Sequence, residues 1–158
     1  MSDEQLQYQG KWGYTILHRA VDKNAEAIVK LIARRCAQEQ VANCQGYTPL
    51  HLAISGGRIK ITRMLVNADF DLSAKDLGGR TPLHWACSES RRDSNFADIV
   101  QLMLAKGADP SVVAKFKENL LHVILEDNLK HNLTILQMVI DVGVGVNTLD
   151  SVGFSPLW

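Results

Sequence analysis

The sequence predicts an all-α solenoid of stacked helix–turn–helix units with short β-hairpin fingers between them. Three observations carry this. A tetrapeptide recurs as Thr15-Ile16-Leu17-His18, Thr48-Pro49-Leu50-His51, Thr81-Pro82-Leu83-His84, Asn119-Leu120-Leu121-His122 and Ser155-Pro156-Leu157-Trp158, at intervals of 33, 33, 38 and 36 residues. A glycine stands shortly before four of the five, at Gly13, Gly46, Gly79 and Gly153. Two apolar patterns of helical period follow each complete signature.

Each element has a local cause. Thr48-Pro49, Thr81-Pro82 and Ser155-Pro156 are helix starts: the hydroxyl caps free N–H groups, and proline in the first turn lacks a donor that would be unpaired anyway. Leu50, Ala53 and Ile54 then fall on one side of a short helix, as do Leu83, Ala86 and Cys87. Gly56-Gly57 ends the second unit's first helix, and Ile61, Met64, Leu65 and Val66 give the next helix its buried stripe. Segments such as Ala74-Lys75-Asp76-Leu77-Gly78-Gly79 carry the glycines of a tight turn and are read as the fingers. One helix pair cannot bury both its faces, so stability comes from stacking, and end units need a polar outer side. Arg19, Lys23, Glu26, Lys30, Arg34 and Arg35 suit the first unit to that role. The fourth unit stays apolar at Leu125, Leu129, Leu133, Leu136 and Val139, and the fifth is only begun, so the chain is expected to be the N-terminal part of a longer multi-repeat protein.

A period of 33 headed by Thr-Pro-Leu-His resembles the ankyrin repeat family, from Gly10 onward. Ile99-Val100-Gln101-Leu102-Met103-Leu104-Ala105-Lys106-Gly107-Ala108-Asp109 carries the second-helix part of that resemblance. The division it implies is a tail over 1–9, repeats over 10–42, 43–75, 76–113 and 114–149, and a truncated fifth repeat over 150–158. Two departures stand out. The third repeat expands its helix–helix turn into the polar stretch Ser88–Asn95, and the fourth has Lys117 for glycine and Asn119 for threonine, so its finger is expected to differ in shape.

Composition narrows the function. The chain is 46% apolar and 22% charged, the balance of an ordinary folding domain, and its 17 basic and 17 acidic residues cancel. No apolar run is long enough to span a bilayer and no signal peptide opens the chain, so a cytoplasmic or nuclear protein without membrane contact is expected. Three cysteines, Cys36, Cys44 and Cys87, are too few and too irregular for a disulfide set. His18, His51, His84 and His122 stand one per unit: helices of adjacent units lie roughly 8 to 10 Å apart, whereas zinc needs its nitrogens at about 2.0 to 2.1 Å. They are read as fixing their own turns. His84 with Cys87 makes only two ligands, so no metal or cofactor is expected. Gly143-Val144-Gly145 lacks the context of a phosphate loop, Glu126-Asp127 sits near a helix end, and no nucleophile elbow is present. Asn132-Leu133-Thr134 has the form of a glycosylation acceptor without a signal peptide to make it usable. No enzyme emerges.

What the resemblance implies is a surface for another protein or peptide along the concave side, made of finger tips and first helices. The matching positions are Trp12, Tyr14, Asp22, Tyr47, Leu77, Arg80, Ser88, Glu89, Phe116, Glu118 and Glu126, with Arg91 and Arg92 as a second contact arm on the inserted loop. Trp12, Tyr14, Tyr47, Arg80 and Phe116 are expected to anchor, because flat, rigid groups bury much area at low entropic cost. Trp85 is expected between helices. The alternative is a nucleic-acid or nucleotide sensor built from Lys11, Trp12, Tyr14 and Lys23, against which the neutral net charge counts. A third resemblance, to ankyrin inhibitors of Rel-type transcription factors, has no local feature of its own.

Overall fold

A computed structural model describes residues 3–37, 41–90, 92–125 and 133–156. Among these, nine α-helices occur: α1 (Asp3–Gln7), α2 (Ile16–Asp22), α3 (Glu26–Cys36), α4 (Pro49–Ser55), α5 (Ile59–Asn67), α6 (Pro82–Glu89), α7 (Phe96–Ala105), α8 (Leu120–Leu125) and α9 (Leu133–Asp141). After α1 they form consecutive pairs. The first helices α2, α4, α6 and α8 pack in one row, and the second helices α3, α5, α7 and α9 in another. This is the all-α solenoid the repeat predicts.

The helix starts work as the sequence implies. Thr15 and Thr48 sit in extended backbone, accept the N–H of His18 and His51 respectively, and turn the chain into α2 and α4. The signature leucines Leu17, Leu50, Leu83 and Leu121 are buried in one continuous core with Ile61, Leu65 and Val66, while Met64 is half-buried at its edge. Truncating a leucine so placed costs about 2 to 5 kcal/mol.

Four details differ from the sequence reading. The fingers contain no β-strand among the described residues: the second closes by Asn43 N–H to Tyr47 O and Gly46 N–H to Asn43 O, both 2.9 Å, which makes a tight turn and not a ladder, and the third repeats this from Asp76 to Arg80. The segment read as a tail holds α1, which packs on α2 and α3 through Leu6, 2% exposed. α1 thus covers part of the first helix pair. The inserted stretch begins later than expected, because Ser88 and Glu89 belong to α6; Asp93 then caps the turn by accepting Asn95 N–H, and Phe96 inserts into the core. At the other end Leu133 is exposed on α9 while Ile135 and Val139 are buried; Leu129 lies outside the described residues.

Candidate functional site

The histidines tie each first helix to the finger of the next repeat, with one exception. His18 Nδ1 lies 2.8 Å from the Thr15 hydroxyl and 3.2 Å from its N–H, and an N–H can only donate, so Nδ1 accepts and the proton sits on Nε2. Nε2 then donates to the carbonyl of Tyr47 in the next finger at 2.9 Å. His51 repeats this with Thr48 and the Arg80 carbonyl, at 3.2 Å. His122 reaches the Phe154 carbonyl at 3.1 Å. Each of these histidines therefore fixes its own turn, as expected, and also ties it to the following repeat. His84 is the exception: its Nδ1 contacts Thr81, but its buried Nε2 has no hydrogen bond of good geometry, the Val112 carbonyl lying nearby. Burial lowers the basicity of His18 and His51 against the opposing pull of those carbonyls. His84 is lowered to about 4, by burial first and then by the charge of Arg80.

The fingers are also bonded to one another. Cys44 N–H donates to Trp12 O, Leu77 N–H to Gln45 O, Lys115 N–H to Gly78 O and Ser151 N–H to Phe116 O, at 3.1, 3.3, 2.9 and 2.6 Å. Gly46 shows why this contact needs a bare α-carbon: its φ is +78°, and a Cβ there would stand 2.8 Å from Leu77 N. In three fingers a side chain at the first position organises the turn. Asn43, Asp76 and Asp150 each accept two backbone N–H groups through Oδ1. The first and fourth fingers have Gly10 and Ala114 there instead, and in both the tip aromatic is left-handed, Trp12 at φ 65° and Phe116 at φ 66°. Lys117 keeps the left-handed geometry of the glycines it replaces, at φ 59°, so the fourth finger still closes by Ala114 N–H to Glu118 O. Asn119 takes over the threonine's work by accepting the N–H groups of Leu121 and His122.

Seven of the predicted site residues fall into three groups. Trp12, Leu77 and Phe116 project from finger tips at 67, 63 and 69% exposure, joined by Val152 at 73% in the fifth finger. Tyr14 and Tyr47 are half-buried against His18 and His51, and Tyr47 also meets Trp85 edge-on, ring centroids 5.6 Å apart. Trp85 is thus not simply between helices: its Nε1 donates to Asp76 Oδ2 at 2.9 Å, and the pair braces two fingers. Arg80 and Glu118 face each other across fingers three and four at 3.4 Å.

Glu89 does not belong to an open surface. It is buried at the last position of α6, which runs one residue longer than α4, and pairs with Arg92 of the inserted loop at 3.3 Å. Ser88 is half-buried on α6. Arg91 and Glu126 lie outside the described residues. Asp22 is exposed, pairs with Lys23 at 3.9 Å, and accepts Arg58 on its carbonyl. It joins Lys11, Trp12, Tyr14, Arg19 and Lys23 around a cleft of about 410 Å³, with Lys11 Nζ 5.6 Å from the Trp12 ring centroid. Arg19, which the sequence assigns to the polar outer side of the first unit, lies one helical turn before Lys23 and lines this cleft with it.

No helix among the described residues is long and apolar enough to cross a membrane. No curated protein matches the sequence significantly. The family model for ankyrin repeats, which spans three copies of the repeat, matches residues 17–114, well over half of the chain. With its two-row stack and linked fingers, the chain belongs to the ankyrin repeat family.

Proposed function

We propose that this chain is a protein-interaction module that holds a peptide or helix of a partner protein along its fingers and first helices. Ankyrin repeats act generally as protein-interaction modules and are typically non-catalytic. The observation that supports this reading is the row of exposed Trp12, Leu77 and Phe116 on fingers bonded to one another, since preorganised aromatic groups lose little entropy on binding. The test is affinity capture from cell extract with the wild-type chain beside a Trp12→Ala, Phe116→Ala variant. Partners lost only with the variant support the reading, and equal capture by both overturns it. Three cysteines without a disulfide fit the cytoplasm or nucleus as its compartment.

The cleft of the first repeat favours a second reading, a nucleotide or single-stranded nucleic acid held by Trp12 and Tyr14 with Lys11, Arg19 and Lys23 around them. Salt-dependent binding of an oligonucleotide tests it, and its absence removes it.

A further inference from the structure

We propose that the finger edge takes an acidic peptide segment bearing bulky apolar side chains. The inference rests on the protein-binding reading above and specifies its partner.

Three of the five fingers pair an exposed apolar tip with a lysine that makes no ion pair among the described residues. Lys11 adjoins Trp12, Lys75 stands two residues before Leu77, and Lys115 and Lys117 flank Phe116; all four lysines are exposed. No finger carboxylate pairs with these lysines, and Lys11, Lys75, Arg80, Lys115 and Lys117 outnumber Asp76, Glu118 and Asp150 on the fingers, while Asp109, which feels the charge of Lys75, lies outside them. Asp76 and Asp150 are turned onto backbone N–H groups of their own turns, and Glu118 faces Arg80. The edge is therefore locally basic although the chain is neutral. A complementary ligand offers carboxylates beside hydrophobic groups, in units that repeat with the fingers, about 8 to 10 Å apart between neighbouring repeats. Single-stranded nucleic acid fits less well, because Leu77 and Val152 have no π face on which a base could stack.

Panning a displayed library of random peptides tests this. Peptides of about 16 residues, extended, reach about 53 Å, enough to cross the first four fingers at about 24 to 30 Å. The wild-type chain is compared with a Lys11→Glu, Lys115→Glu, Lys117→Glu variant of unchanged circular dichroism. The expected pool is rich in Asp and Glu beside aromatic or aliphatic residues, and binds the variant at least about tenfold more weakly. Should the charge reversal unfold a finger, the milder Lys→Gln set and the weakening of binding by added salt report the same electrostatic contribution. A pool without acidic bias that depends on Trp12 and Phe116 overturns the acidic partner and leaves the protein-binding reading standing. An acidic pool that binds wild type and variant equally overturns the finger site, and an absence of enrichment overturns both. Polydeoxyadenylate binding that is lost in the lysine variant, with no acidic pool, assigns the edge to nucleic acid and likewise overturns the proposal.

Discussion

His51 Nε2 meets the carbonyl oxygen of Arg80 at 3.2 Å, so a side chain buried in the second repeat holds the finger of the third. His84, at the same place one repeat later, has no such bond. His51→Ala should cost about 2 to 3 kcal/mol, since it removes this link and leaves buried polar groups unpaired. His84→Ala should cost about 1 kcal/mol less. Urea denaturation of both variants checks this, and equal losses would show that the link to the next finger adds nothing.

Acid should destabilise the fold through its buried histidines. Buried His84 is lowered to about 4 in the folded chain, against about 6.5 when unfolded. Between those values the unfolded chain binds the extra proton, so stability is fully present above pH 6.5 and falls as pH drops toward about 4. His84 alone accounts for a loss on the order of 3 kcal/mol, and His18 and His51 act in the same direction. Melting curves at pH 7 and pH 5 for wild type and His84→Asn measure it: the variant should show the shallower dependence.

Gly46 and Lys117 occupy equivalent turns with φ of +78° and +59°. Gly46→Ala should therefore destabilise by more than about 1 kcal/mol, from the left-handed backbone and the Cβ clash with Leu77 N. Lys117→Gly should raise stability by a few tenths to about 1 kcal/mol, net of the greater freedom glycine gives the unfolded chain. Thermal melting separates the two directions, and a drop in the Lys117→Gly melting temperature would contradict the strain argument.

Trp12→Gly isolates binding from folding. The residue is exposed and left-handed, so glycine relieves its backbone while deleting the tip aromatic. The variant should melt no lower than wild type and should retain captured partners at least about fivefold less well. A lower melting temperature would mean that Trp12 braces the fold.

The thiols should separate by burial. Cys44 lies exposed on the second finger, whereas burial pushes the Cys87 thiol up to about 12. A thiol reagent at neutral pH should label Cys44 at once and Cys87 only on unfolding, as mass spectrometry of the peptides would read directly.

Much of this protein was legible in the sequence because its interactions are local and repeated. Thr48, Pro49 and His51 specify a helix start within four residues, and Leu50 with Ile54 specifies its buried face; copying that pattern four times leaves stacking as the way to bury the remaining apolar surface. Trp12 and Leu77 could be placed on turns because Gly13 and Gly79 mark where each falls, and Phe116 because Asn119-Leu120-Leu121-His122 follows it. Tertiary structure alone decided what depends on a neighbouring repeat. Leu6 looked like part of a tail until α3 gave it a surface to cover, and Glu89 looked exposed until the longer α6 turned it inward. The same holds for the unpaired Nε2 of His84 and for which finger charges are already engaged. The His84 and finger-charge outcomes are set by distances between residues some thirty positions apart, which the residue pattern within one repeat does not contain.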